Sequence, residues 1–413
     1  MMSFFRRFVC GAVAVLSVLM ASGAAQAAAP SFADFDSKAK AGEVLNVVFF
    51  GASLTWGANA TDPNLTSYRG VMADRMRETY PQAHFRFWDE AIGGTGSQTA
   101  VFRVNRDVLS RKPDLVFLDF SANDDIYSDN VEQLASYESL VRRMVLEARC
   151  PVVQVIFPFK WNIKAGELKK MARRTGHLAI AQAYGCGVGD AIALITERVE
   201  KDPAELEKIW NTDGVHPGDA GYVIFAEAAA QGLQQAIAKK QVCAVPEKML
   251  YADTYMTNSR VRISSLGTLP AGWKVGSPNL TSAYYDMLMS RWLDDEVIAA
   301  PKAYRLKVQF RGAMVGLFGE GTTKSGKYRV YIDGQMIKGT GPAAAGEFEP
   351  GSIAIPSHGN AHHWNTVAEG LDPKVTHTLE IEPVLTEGQE LRLESICVAG
   401  GDAKVLPAEA AAQ

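Results

Sequence analysis

Apolar runs of strand length alternate with amphipathic stretches through the first half of the chain. Residues 45–50, 115–120 and 152–157 are apolar runs, the pattern of strands buried on both faces. Residues 85–88 form a shorter strand candidate, and 187–191 a short last one. Between them the spacing predicts helices over 68–80, 98–109, 131–148, 164–184 and 221–239. Repeated strand–helix units imply a parallel sheet with helices on both faces. From about Val242 the helical period fades. Short strand candidates at 261–263, 305–310, 314–318, 328–332, 378–381 and 391–398 are separated by Gly, Pro and Asp. In "YIDGQMI", Asp333-Gly334 stands between apolar arms, a hairpin signal. The second half therefore reads as an antiparallel β-sandwich. The pattern places an α/β domain at 42–241, an all-β domain at 245–400 and a disordered Ala-rich tail at 401–413.

The first residues have a different grammar. Arg6 and Arg7 precede an apolar stretch from Phe8 to Met20, and Ala25-Gln26-Ala27 fits an A-x-A cleavage site. Residues 1–27 are thus expected to be a signal peptide, directing export to the periplasm or beyond the cell. No later stretch has the length and apolarity of a membrane span. Cleavage would remove two arginines and no acid, taking the net charge from −4 to −6. That balance gives no reason to expect nucleic acid or an anionic membrane surface as partner. Beyond the signal segment lie Cys150, Cys186, Cys243 and Cys397, too widely spaced to resemble a zinc site.

Chemistry-bearing residues collect just past the carboxyl ends of the predicted strands, where an open parallel sheet puts its ligand. Ser53 follows the first strand, "IGGTGS" (92–97) the second and "SANDD" (121–125) the third; "DGVHP" (213–217) precedes the closing helix. A serine hydroxyl needs an adjacent base, and a histidine oriented by an acid supplies one near neutral pH. Asp213 and His216 are three residues apart, so one short loop carries both. The alkoxide formed on attack needs fixed donors, and Gly94 and Asn123 stand at the right strand ends to give a backbone N–H and a side-chain amide.

These blocks resemble the SGNH, or GDSL-type, hydrolase superfamily. The resemblance covers residues 44–238 and rests on "GASLTWG", "IGGTGS", "SAND" and "DGVHPGDAGY" occurring in that order. It implies a flavodoxin-like parallel sheet of strand order 2-1-3-4-5. It casts Ser53 as nucleophile, His216 as base, Asp213 as its orienting acid, and Gly94, Asn123 and the Ser53 N–H as the oxyanion hole. Two positions depart from the pattern: Ala52 stands where Asp is usual and Ser121 where Gly is usual.

Other residues complete the expectation. Trp56 and Trp161 follow the first and fourth strands and could line the crevice with aromatic faces suited to sugar or acyl surfaces. His358, His362 and His363 read as plain loop histidines, with no metal assigned. Cys150 with Cys186, and Cys243 with Cys397, are the expected disulfides. The whole predicts an exported serine ester hydrolase that needs no metal or organic cofactor. Its expected substrate is an O-acetylated or otherwise short-acylated polysaccharide, by analogy with esterases that join an SGNH domain to a jelly-roll domain. The alternatives are a lipase or acyltransferase with the same triad, or a non-catalytic glycan-binding protein on a hydrolase scaffold.

Overall fold

The computed structural model describes residues 29–210, 212–279, 293–339, 346–351 and 359–407. The expected signal peptide and His358 lie outside them. Five parallel strands form the first sheet: β1 (Val44–Gly51), β2 (His84–Ala91), β3 (Leu115–Leu118), β4 (Val152–Ile156) and β5 (Gly187–Asp190), in the order β2-β1-β3-β4-β5. The resemblance implied this order. β1 lies between β2 and β3, with Phe50 in register with both Glu90 and Leu118. Phe49 stacks on Phe117 of the neighbouring strand at 5.1 Å, so the apolar runs make the sheet centre.

The helices are α1 (Phe32–Lys40), α2 (Ser53–Trp56), α3 (Tyr68–Thr79), α4 (Ser97–Ala100), α5 (Val104–Asp107), α6 (Val131–Arg143), α7 (Ala172–Tyr184), α8 (Ala191–Lys201), α9 (Glu205–Ile209) and α10 (Asp219–Ala238). Several differ from the sequence reading. The helix expected over 98–109 is broken into α4 and α5, and the one expected from 164 starts only at Ala172. α1, capped by Ser31 accepting the Asp34 N–H at 3.0 Å, buries Phe32, Phe35 and Ala39 in the α/β core. The folded unit therefore begins before residue 42.

The second half holds β6 (Asn258–Arg262), β7 (Trp273–Gly276), β8 (Glu296–Ala299), β9 (Leu306–Arg311), β10 (Met314–Thr322), β11 (Lys327–Ile332), β12 (Gln335–Met336), β13 (Asn360–Ala368), β14 (His377–Val384), β15 (Leu391–Ala399) and β16 (Lys404–Pro407). Two antiparallel sheets result, β13-β10-β15-β8-β7 with β6 also on β15, and β12-β11-β14-β9-β16. Asp333 and Gly334 turn the β11–β12 hairpin with φ of 52° and 78°, as the dipeptide predicts. Three expectations are corrected. β16 pairs with β9, so the residues just past 400 are part of the sandwich and not tail; 408–413 lie outside the described residues. His362 and His363 are strand residues of β13, not loop residues. All four cysteines are buried and free, and the Cys243 thiol donates to the carbonyl of Gly185, the residue before Cys186, at 3.3 Å.

β10 and β15 are buried along their whole length. Their side chains alternate between two cores. Val315, Leu317, Ile396 and Val398 face the other sandwich sheet, whereas Met314, Phe318, Cys397 and Ala399 join the core of the α/β domain. The sandwich is therefore docked through the back of one sheet. Trp364 of β13 packs on Phe102 at 5.7 Å, and the Gln98 amide donates to Tyr255 Oη at 2.8 Å and to Glu369 Oε1 at 2.5 Å.

Candidate active site

The strand β1 ends in a tight turn that leads straight into α2. Ala52 is the N-cap residue and offers no side-chain cap, so the Ser53 hydroxyl has no capping duty. It meets His216 instead: Ser53 Oγ lies 2.9 Å from His216 Nε2. His216 Nδ1 lies 3.2 Å from Asp213 Oδ2. A carboxylate only accepts, which assigns the ring proton to Nδ1 and turns the Nε2 lone pair toward the serine hydroxyl.

The loop that carries the pair is held by its own acid. Asp213 Oδ1 accepts the N–H groups of Val215 at 2.7 Å and His216 at 2.6 Å, and Oδ2 accepts from the Asn59 amide at 2.9 Å. Partial burial works against its charge, but these donors prevail and hold the Asp213 carboxyl below its usual range. Burial lowers the basicity of His216, partly offset by the Asp213 charge. Asn59, which the sequence reading missed, also donates to the His216 carbonyl at 3.4 Å. It sits at φ 67°, a conformation that Asn tolerates better than most residues, and "GAN" after the serine was its one faint signal.

Gly94 and Asn123 line one cavity of about 290 Å³ between the two domains. Gly94 adopts φ 73°, which only glycine takes readily. Asp124, next to Asn123, accepts the Ser97 N–H at 2.9 Å and so ties the loop after β3 to the loop after β2. A Cβ on Gly96 would lie only 2.4 Å from Asp124 Oδ1, so this bracket needs glycine there. The other Asp124 oxygen is buried without a protein partner, and burial pushes this carboxyl up to about 6.

Both departures from the expected motif acquire a physical reason. Ser121 accepts the Phe157 N–H at 2.8 Å and donates to the Phe157 carbonyl at 3.1 Å, clasping the ends of β3 and β4. With Ala52 before the serine, the carboxylate beneath the turn comes from β3's edge: Thr55 Oγ1 of α2 donates to Asp119 Oδ2 at 3.0 Å. Burial drives Asp119 up to about 7. Arg103, also missed, draws the ends of β1 and β2 together. Its fully buried guanidinium donates to the carbonyls of Gly51 at 2.8 Å and Glu90 at 2.7 Å, pairs with Asp107 and lies over the Phe50 ring.

The two tryptophans part company. Trp56 is only 7 % exposed and belongs to the α/β core, so it does not offer an open face to the crevice. All four residues of α2 are buried, and its short turn directs Trp56 inward. Trp161 is 51 % exposed, packs beside Gly214 in the Asp213–His216 loop, and leans on Phe159 at 4.9 Å.

Residues 49–224 match the GDSL-like Lipase/Acylhydrolase family. An acetylxylan esterase of Geobacillus stearothermophilus is 27 % identical over 176 residues, 40 % of this chain and 78 % of that protein. Among solved structures, a two-domain esterase active on acetylated mannans, also crystallised with mannopentaose, superposes with a TM-score of 0.71 at 24 % identity; the match covers 90 % of this chain and 95 % of that one. That likeness extends the shared fold across the sandwich as well as the α/β half. By its matched segment and its sheet order, the α/β half of this chain is similar to the GDSL-like lipase/acylhydrolase family, and these findings support an SGNH-type carboxylic ester hydrolase.

Proposed function

We propose that this protein is an exported serine esterase that removes O-acetyl, or other short acyl, groups from a polysaccharide. The observation that carries the mechanism is the relay from Ser53 Oγ to His216 Nε2 at 2.9 Å and from His216 Nδ1 to Asp213. His216 takes the Ser53 proton as the oxygen attacks the ester carbonyl. The tetrahedral oxyanion is held by the N–H groups of Ser53 and Gly94 and the amide of Asn123. Collapse expels the sugar alcohol, which takes the proton back from His216. Water activated by the same imidazole then releases the carboxylic acid from the acyl-enzyme.

Three observations support a carbohydrate ester. The matched relatives are esterases of acetylated xylan or mannan. The cavity beside Gly94 and Asn123 is lined by polar groups, Gln98, Gln133 and Asp124 among them, as a hydroxylated ligand requires. The exposed Trp161 face adjoins the base-bearing loop. Export rests on the pattern of residues 1–27. The test is an ester panel of acetylated xylan, acetylated mannan and long-chain esters, run with and without a sugar acceptor. Acetate release from the glycans is expected to dominate. Preference for long chains would make the protein a lipase, and transfer in excess of hydrolysis an acyltransferase.

Two further results follow from the assigned roles. Asn123→Ala should lower kcat by roughly 10²-fold with a smaller change in KM, because an oxyanion donor acts mainly in the transition state. An unchanged kcat would remove Asn123 from the hole. His216 acts as base only when neutral, and burial lowers its basicity from the ordinary 6.5. The acid limb of kcat/KM should therefore lie below pH 6.5, with full activity retained above it. A limb on the alkaline side of that value would contradict the assignment.

A further inference from the structure

The loop after α2 bends back onto the catalytic pair. Gly57 and Asn59 turn it with φ of 99° and 67°. α10 then anchors it on both sides of Asn59. Tyr222 Oη donates to the Ala58 carbonyl at 2.6 Å, and Asp219 Oδ1 accepts the Thr61 N–H and the Thr66 hydroxyl at 2.8 Å each. Between these fixed points the Asn59 amide nitrogen donates to Asp213 Oδ2 at 2.9 Å and to the His216 carbonyl at 3.4 Å. Both neighbours only accept, which settles which way the amide faces. Asp213 therefore receives four donors. Oδ1 takes the N–H groups of Val215 and His216; Oδ2 takes His216 Nδ1 at 3.2 Å and Asn59. Four is about what a carboxylate can accept. Three of the donors belong to the loop that carries Asp213 itself. The fourth comes from the nucleophile's side of the site.

We propose that Asn59 is a positioning residue for ester hydrolysis, which fixes the Asp213 oxygen that His216 Nδ1 bonds and competes with the imidazole for that oxygen's charge. The inference rests on the reading of Asp213 and His216 as acid and base of the relay. Oδ1 is tied down by two N–H groups, but a carboxylate held at one oxygen still rocks about its last torsion, which is broad. The Asn59 amide, itself held by α10, gives Oδ2 a fixed point that the imidazole alone does not. The amide also draws on the same oxygen as the ring. Without it, Oδ2 gives more of its charge to His216, and the protonated imidazole is stabilised. The charged groups on neighbouring elements are otherwise engaged. Lys160, whose N–H meets the Gly214 carbonyl at 2.8 Å, pairs with Glu207 at 2.7 Å, and Asp219 is taken up by Thr61 and Thr66. Asn59 thereby acts through Asp213 without touching the substrate's reacting atoms.

The test uses the full chain, 4-nitrophenyl acetate and a pH series. Asn59→Gly removes the amide and accepts the positive φ. It should lower the plateau kcat about fivefold with KM changed less than about twofold, the signature of a misaligned relay. Its acid limb in kcat/KM should move up, because a ring that holds its proton more firmly loses its basic form at a higher pH. The Asp213 side chain is 43 % exposed, so water mutes this shift to roughly 0.5 pH unit. Asn59→Asp keeps the shape and tolerates the same backbone, but sets a second carboxylate beside the first. It should move the limb further up, by roughly 1 pH unit. Asn59 is exposed, so both variants should melt close to the parent. A role in stability alone would lower the melt and leave the limb in place. An unmoved or lowered limb in the two variants, or a parental kcat in Asn59→Gly, would overturn the proposal. Failure of the relay reading is separable, because His216→Ala would then keep the parent rate.

Discussion

Ser53→Ala should lower ester hydrolysis by roughly 10³-fold or more, with the fold and the melting temperature essentially unchanged. The size of the loss follows from the relay: without Oγ there is no atom for His216 to activate, and residual turnover falls to what the oxyanion donors and substrate binding give to water. The stability side follows from the turn. Ser53 is buried, but its hydroxyl makes its bond to His216 Nε2 and caps no helix, since the N-cap of α2 is Ala52. Removing it costs one hydrogen bond, about 1 kcal/mol, against a partner ring that keeps its bond to Asp213. The check is kcat/KM on a soluble acetate ester together with a thermal melt. Near-parental turnover in a folded Ser53→Ala protein would end the serine mechanism, and a collapsed melt would mean that the hydroxyl is structural after all.

The parts of this site that the sequence displayed are those carried by short loops. Ser53, Gly94, Asn123 and the Asp213–His216 pair each follow or precede one regular element, so a residue type and its place in the pattern were enough to mark them as candidates. The parts it hid depend on contacts made across the chain. Asn59 reaches Asp213 across 154 positions, and only its place shortly after Ser53 sets it apart from a turn asparagine. Arg103 looked like one more charge on a predicted helix, yet its work is on the carbonyls of two strand ends. β13 was missed because "NAHHWNTVA" shows no clean alternation: its half-buried and buried positions are set by two neighbours at once, the sandwich on one side and the α/β domain on the other. Trp56 has a simpler reason: its spacing from Ser53 suggested a crevice wall, but its short helix turns it into the α/β core. The cysteine pairs failed through contacts across the chain. Strand order brings Cys150 and Cys186 to neighbouring strands, but all four thiols stay free, and the segment after α10 returns to the end of α7, where the Cys243 thiol meets the Gly185 carbonyl.

Truncation after Ala244 should abolish activity even on a small ester and leave the α/β half poorly soluble. A freely tethered binding module would predict loss on polymeric substrate only. The structure gives four reasons for the stronger outcome. Glu138 of α6 is fully buried and accepts the N–H groups of Leu250 and Tyr251 at 2.8 Å each; removing them strips two charge-assisted bonds, about 1.5–3 kcal/mol apiece, from a buried carboxylate. Met314, Phe318, Cys397 and Ala399 leave the shared core, and Phe102 loses Trp364, so a contiguous apolar patch is opened to water. Gln98 loses both its partners on the sandwich, Tyr255 and Glu369. The cavity beside Gly94 and Asn123 loses the wall formed by His362 and Trp364. With native stabilities of only about 5–15 kcal/mol, losses of this order exceed what a domain of this kind can spare. The measurement is solubility, melting temperature and kcat/KM of the truncated chain beside the full one. A truncated chain that is soluble, equally stable and equally fast on the small ester would show the sandwich to be dispensable to the catalytic half. Loss confined to acetylated polysaccharide would assign it the work of holding substrate alone.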